Sequence, residues 1–222
     1  PGPQLTQGVP SVSEFPTNAK VVVIGAGIVG NCLVGHLARL GWTDMVLLDK
    51  GPLPNPGGST GHASNFIFPV DHNKEMALLG VQSANQYRDV ERSVDCGGIE
   101  VARTQERMDE LQRRMTSATA WGVEAELLSP AEVKELVPFI NDDVILGGFY
   151  CPTVSVVDSL DTGTLFRNEA IEQTGMQVFA NTEVLDIETE PEPATGLQKV
   201  TAVVTDKGRI EAEYVVIACG VW

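Results

Sequence analysis

One stretch constrains this chain more than any other. Lys20-Val-Val-Val-Ile24, apolar and β-branched from Val21 onward, leads directly into Gly25-Ala26-Gly27-Ile28-Val29-Gly30. The β-branched run predicts a strand buried on both faces. The glycines then fit G-x-G-x-x-G after a strand and opening a helix. Gly25 permits a tight turn, Gly27 lets a pyrophosphate approach the backbone, and Gly30 lets helix and strand pack closely. Phosphate oxygens would meet helix N–H groups at the positive end of the helix dipole. Apolar residues at Ile28, Val29, Cys32, Leu33, Leu37 and Leu40 predict a helix over 28–40, ended by Gly41. Met45–Leu48 reads as a second buried strand, and Asp49 closes it where a carboxylate can hydrogen-bond the ribose hydroxyls of an adenosine. The unit is βαβ, of the Rossmann-like, dinucleotide-binding kind.

Beyond Asp49 the chain departs from a repeating βα fold. Gly51–Gly61 holds three prolines and four glycines in eleven residues, so no regular element is expected there. Helical spacing returns over 74–92 and 104–121. Ser129-Pro-Ala-Glu132 is a capping box opening a helix that stops before Pro138, and Ser159–Gln173 reads as a helix closed by Gly175. Strands are predicted at Gly98–Ala102, Ile145–Cys151, Gln177–Ala180, Glu183–Glu188, Val200–Thr205, Arg209–Ala212 and Tyr214–Ala218, with a turn at Asp206-Lys207-Gly208 and an acidic, proline-broken tip over 188–196. The parallel sheet is expected to resume only with Tyr214–Ala218. An NAD-binding domain usually continues straight into further βα units, whereas flavoproteins insert substrate-domain segments of this kind, so FAD is the favoured dinucleotide. An NAD-dependent dehydrogenase, or a truncated dinucleotide-binding module without activity of its own, are the readings the residues leave open.

Charge narrows the partners. Fifteen Lys and Arg against thirty Asp and Glu give a net charge of −15, which repels phosphate backbones and anionic lipid heads; neither nucleic acid nor a membrane is an expected partner. Cys32, Cys96, Cys151 and Cys219 lie far apart without a Cys-x-x-Cys pair, so structural thiols are expected, not a metal site. Residues 1–19 read as an extended leader without the basic start and apolar core of a signal peptide. The chain starts without Met and stops at Trp222 just after a strong strand, so a longer protein is expected.

A second motif, Gly57-Gly-Ser-Thr-Gly-His-Ala-Ser-Asn65, leaves the nucleotide unit carrying one histidine among glycines and small hydroxyls. Its glycines allow a flat ligand to approach the backbone. His36 and His72, by contrast, read as structural or surface residues.

Together with Val22–Gly30, Val46-Leu-Leu-Asp-Lys-Gly-Pro52, Pro56–Ala63, Gly97–Ala102, Trp121-Gly122, Leu128–Glu132, Leu146–Gly148 and Val215–Gly220, this motif resembles the N-terminal part of the dimethylglycine oxidase, dimethylglycine dehydrogenase and sarcosine dehydrogenase family. That family belongs to the D-amino-acid-oxidase-like FAD-dependent oxidoreductases. The resemblance covers nearly everything after the leader and implies an α/β fold: a Rossmann-like FAD-binding domain with inserted α+β substrate-domain segments, C-terminally truncated, over residues 20–222. It implies FAD bonded covalently to His62 through the flavin 8α carbon. It also implies cofactor contacts at Gly25, Gly27, Ile28, Val29, Gly30, Asp49, Lys50, Ser59, Thr60, Gly61, Phe66, Val184 and Gly220. The implied chemistry is oxidation of an N-methyl group of a small amino acid by hydride transfer to FAD, as in choline and glycine betaine catabolism and one-carbon metabolism. Dioxygen or an electron-transfer flavoprotein would take the electrons, and tetrahydrofolate would bind in a separate C-terminal domain. The family's catalytic groups fall downstream of Trp222, so none is assigned here. The implied location is the cytoplasm in a bacterium or the mitochondrial matrix in a eukaryote. Two departures stand out: Ser64-Asn65 replaces a small residue and glycine, where the local backbone is expected to differ, and Thr153–Asp158 replaces a Gly-Asp-Gly stretch, leaving Asp158 without a role.

Overall fold

Strand β1 (Asn18–Ile24) alternates its side chains between two apolar clusters, as a strand covered on both faces must. The computed structural model describes residues 14–71, 73–88, 90 and 93–221; most of the expected leader, His72 and Trp222 lie outside them. After β1 come α1 (Ile28–Arg39), β2 (Met45–Leu48), β3 (Phe66–Ile67), α2 (Lys74–Tyr87), β4 (Val94–Asp95), β5 (Gly98–Ala102), α3 (Gln105–Trp121) and β6 (Glu126–Leu128). The remainder is α4 (Pro130–Leu136), β7 (Gly147–Cys151), β8 (Ser155–Val156), α5 (Ser159–Thr174), β9 (Gln177–Phe179), β10 (Val184–Pro191), β11 (Gln198–Thr205) and β12 (Gly208–Ile217). The chain divides into two compact units, one comprising residues up to Ser59 and from Phe166 onward, the other Thr60–Leu165.

The first unit is a six-stranded sheet in the order β10-β11-β12-β1-β2-β9. Strands β12, β1, β2 and β9 are mutually parallel, and β10 and β11 extend the sheet as an antiparallel ribbon. Val21, Val23, Met45 and Leu47 face Val34 and Ala38 of α1 and Ala170 of α5. Val22, Ile24, Val46 and Leu48 face the opposite way, onto Val203, Ile210 and Ala212.

Three expectations change here. The strand expected at Gln177–Ala180 is β9, and it pairs in parallel with β2, so the parallel sheet resumes there and not first at Tyr214–Ala218; pairing with a distant strand leaves no mark in the local pattern. The two strands expected around Glu213 are one, β12. Its first half pairs with β11 and its second half with β1, so backbone pairing carries through the exposed charge. The expected acidic tip is shorter, because β10 continues through Pro191. Proline is tolerated there because β10 is the edge strand.

The second unit packs α3 on the antiparallel sheet β5-β7-β6 around Leu111, Ala118, Phe149 and Cys151. Strands β3, β8 and β4 form a small antiparallel sheet. Helix α4 opens with the expected capping box, Ser129 Oγ accepting from Glu132 N–H while the Glu132 carboxylate accepts from Ser129 N–H. Helix α2 ends at Tyr87, short of the expected 92, and residues 89, 91 and 92 lie outside the described ones. The strand expected from Ile145 begins at Gly147, after a 3-10 turn at Asp142–Val144. Arg114 is held by Glu100 at 2.5 Å and by the Val70 carbonyl, with its guanidinium over the Phe68 and Phe149 rings at 5.5 and 5.4 Å. Phe149, fully buried, thus supports both the core and this cation. Replacing Phe149 by Ala should cost about 3–5 kcal/mol of unfolding free energy. Urea denaturation of the full-length protein measures it, and a loss below about 1 kcal/mol would mean that the site refills.

Candidate cofactor site

The glycine turn is built from steric necessity at two positions. Gly25 has φ +107, and a Cβ there would lie 2.5 Å from the Ala218 carbonyl oxygen. A Cβ on Gly30 would lie 1.9 Å from the Gly25 carbonyl oxygen, so only hydrogen lets α1 start this close to β1. Gly27 is different. It is the N-cap of α1 with φ −71 and ψ −176, dihedrals open to any residue, so backbone conformation does not require glycine there. The N-cap glycine has no side chain to cap α1 and the first turn carries no acid, a composition that suits an anion at the positive end of the dipole.

The turn is fixed from behind. Ala26 N–H donates to Asp49 Oδ2 at 2.7 Å, and Gly51 N–H donates to Asp49 Oδ1 at 2.7 Å. Asn31, buried, donates through Nδ2 to the Ala26 carbonyl at 2.7 Å and accepts from Arg167 at 3.4 Å. Burial pushes the Arg167 guanidinium below the ordinary arginine range. Asp49 therefore has a task that its expected ribose role did not include: it ties the glycine turn to the end of β2. Each carboxylate oxygen keeps a second lone pair for a ligand hydroxyl.

The neighbouring loop closes around the same residues. Asp49 N–H donates to the Phe179 carbonyl, Thr182 N–H to the Asp49 carbonyl and Asn181 N–H to the Gly51 carbonyl. The loop from β9 to β10, with half-buried Val184 at its end, is thereby held against Asp49-Lys50-Gly51. Ile28 is half-buried, and Val29 and Lys50 are exposed. Gly220, exposed with φ +67, follows the strand end that crosses behind Gly25. The first unit thus gathers Gly25–Gly30, Asp49, Lys50, Val184 and Gly220. The narrow turn and the helix end opened by a glycine suit the diphosphate of a dinucleotide.

The histidine segment is partly regular, contrary to expectation: Ser59–His62 forms one turn of 3-10 helix. Ser59 ends the first unit, while Thr60, Gly61, His62 and Phe66 belong to the second. His62 is exposed, as is Phe66 in β3, opposite Val156. At Asn65 the expected departure resolves: φ is +61, the left-handed conformation glycine favours and asparagine tolerates. Asp158 also gains a role, as the cap of α5: its Oδ1 accepts from Leu160 and Asp161 N–H. His36 is an exposed residue of α1 with its ring 5.4 Å from Phe166. Sequence reasoning missed Asn31, a polar residue on the otherwise apolar face of α1 and so visible in principle. It also missed Arg167, for which no local pattern exists.

Residues 20–222 match the family described as FAD dependent oxidoreductase. The mitochondrial sarcosine dehydrogenase of Mus musculus is 34% identical over 216 residues, spanning 94% of this chain and 23% of that protein. The mitochondrial pyruvate dehydrogenase phosphatase regulatory subunit of Mus musculus is 32% identical over 215 residues, spanning 94% of this chain and 24% of that protein. The chain therefore spans about a quarter of the length of these relatives. In fold it is similar to L-proline dehydrogenase from P. horikoshii, with TM-score 0.83 and 24% identity over 94% of this chain and 54% of that one. With a matching family model over nearly its whole length and a glycine turn shaped for a dinucleotide, the chain belongs to the FAD-dependent oxidoreductase family.

Proposed function

We propose that the protein containing this chain oxidises an N-methyl group of a small amino acid of the sarcosine or dimethylglycine type, with FAD bonded covalently to His62. The carrying observation is the turn at Gly25–Gly30, where the N-cap Gly27 is glycine although its dihedrals are open to any residue. A ligand diphosphate supplies the missing reason. Relatives named for sarcosine and dimethylglycine support the substrate class.

In this reading the α1 N-terminus binds the diphosphate, and Asp49, Lys50 and Val184 hold the adenosine end. Ser59, Thr60, Gly61 and Phe66 line the approach to the flavin, and His62 anchors it. When bound, FAD supplies the hydride acceptor. This chain supplies no acid or base; those come from the rest of the protein, as does any tetrahydrofolate site. Dioxygen or an electron-transfer flavoprotein reoxidises the cofactor. We place the protein in the mitochondrial matrix of a eukaryote, as the names of the relatives suggest, or in the cytoplasm of a bacterium. Among the described residues no helix is long and apolar enough to cross a membrane.

The similarity to a phosphatase regulatory subunit favours a second reading, a family member that regulates without oxidising. Anaerobic mixing of the full-length protein with sarcosine or dimethylglycine separates the two: bleaching of the flavin spectrum supports the oxidase or dehydrogenase, and an unchanged spectrum with bound flavin supports the regulator.

Three substitutions test the cofactor assignments in the full-length protein. Gly27→Val puts a branched side chain where the diphosphate sits and should yield protein purified without flavin; normal flavin content would remove the diphosphate from this turn. Asp49→Ala removes the brace of the glycine turn as well as any bond to the ligand and should weaken FAD binding by at least about 1–3 kcal/mol, the usual cost of lost hydrogen bonds, measured by flavin titration of the apoprotein. His62→Ala should still bind FAD, but acid should then release it all, whereas the wild-type flavin stays in the pellet. Flavin that remains acid-resistant in this variant would move the attachment to another residue.

A further inference from the structure

His62 sits between two fastened points of the second unit. On one side, the Thr60 carbonyl accepts from Ser159 Oγ at 2.7 Å and from Ala63 N–H at 3.3 Å. On the other, the Asn65 carbonyl accepts from Val157 N–H at 2.9 Å, and Asn65 Oδ1 accepts from Ser159 N–H at 3.3 Å. Ser159 opens α5, and Asp158 already caps that helix. The Ser159 hydroxyl is therefore not needed as a cap and instead donates to the histidine turn. Asn65, at φ +61, takes a backbone conformation that asparagine adopts at a cost glycine would avoid. Its side chain is what distinguishes it from glycine, and that side chain makes one of the fastening bonds.

From this we infer that Ser159 and Asn65 are positioning residues for flavin attachment: they hold the backbone on both sides of His62 so that the imidazole is presented in one orientation to the flavin methyl carbon. The inference rests on the reading of His62 as the attachment residue. Attachment forms a bond between an imidazole nitrogen and the 8α carbon. The imidazole and the methyl carbon each give up a proton, and the electron pair left on the ring system passes to dioxygen, which leaves as hydrogen peroxide. Such a bond forms only when nitrogen and carbon are held at close range and aligned, and freeing a reacting group to wander slows the step.

The test uses full-length protein produced without flavin, then mixed with FAD in air. Acid-resistant flavin is followed with time, and total bound flavin is measured in parallel. Ser159→Ala and Asn65→Gly should bind FAD fully but attach it roughly tenfold more slowly, the scale of one lost orienting hydrogen bond. Glycine retains the φ +61 backbone, so Asn65→Gly keeps the loop path and removes only the side-chain bond. Ser159→Thr and Asn65→Asp preserve the hydroxyl donor and the acceptor oxygen and should recover most of the rate; a merely structural role would not follow that chemistry. Wild-type attachment rates in Ser159→Ala and Asn65→Gly would overturn the inference while leaving His62 in place. Attachment that persists in His62→Ala, or flavin wholly released by acid from the wild type, would overturn the reading of His62 and this inference with it.

Discussion

The Asp49 carboxylate is the joint on which the first unit depends. It receives Ala26 N–H from the glycine turn after β1 and Gly51 N–H from the chain leaving β2, so the ends of two adjacent parallel strands share one acceptor group. Hydrogen bonds to an ionised carboxylate are stronger than those between neutral groups, and both here lie in partly buried surroundings. Gly25 can then hold φ +107 against the Ala218 carbonyl without drifting. Asn31 and Arg167 fasten the other side of the same turn. A turn this constrained is formed before any ligand arrives, and little ordering entropy is left for binding to absorb.

The rest of the sheet serves to present that turn. β1 and β2 are buried on both faces, which forces their apolar runs to be continuous and leaves no polar side chain within the buried runs to bind anything. The residues of the proposed cofactor site accordingly fall at the strand ends, where the backbone leaves the ladder: Gly25, Asp49 and Cys219-Gly220 all stand there. The second unit answers to a different constraint. Its antiparallel sheet is covered by α3, and the Arg114 guanidinium pairs with Glu100 and lies over two aromatic faces beside the apolar core, while its buried Nε finds no hydrogen-bond partner among the described residues. Through this one side chain α3 is tied to Glu100 of β5 and Phe149 of β7.

Much of this was legible in the residues. The βαβ unit was, because its elements are long, strongly periodic and punctuated by glycines that the chain needs for steric reasons; so was the capping box of α4, a purely local device. The two-residue strands were not, since β3, β4 and β8 are defined by a partner distant in sequence and hold too few side chains to show a period; β9 was legible as a strand, but its pairing with β2 was not. β12 was misread as two strands for the same reason: Glu213 breaks the local pattern, but pairing to β11 and then to β1 continues past it. Within the candidate site, Asp49 was visible as a position and not as a brace. Its bonds go to backbone N–H groups, which nearly every residue possesses, so no sequence pattern marks them. The same holds for Ser159 and Asn65, whose bonds to one another's segments span more than ninety residues.

The net charge of −15 bears on the proposed diphosphate site as well as on the expected partners. A dinucleotide diphosphate is itself an anion, and an acidic protein repels it at long range. The turn nevertheless suits it, because what faces the ligand is backbone N–H and the end of a helix dipole, and residues 21–38 contain no lysine or arginine. Dipoles of this kind act at contact and fall off within a helical turn, whereas the repulsion acts over the Debye length, about 10 Å in 0.1 M salt. The two would act at different distances, the field slowing approach and the turn holding what arrives. A ligand held by dipoles gains nothing from the acidic surface around it. Covalent attachment at His62 would remove the dissociation step altogether, and with it the disadvantage of keeping an anionic cofactor on an anionic protein.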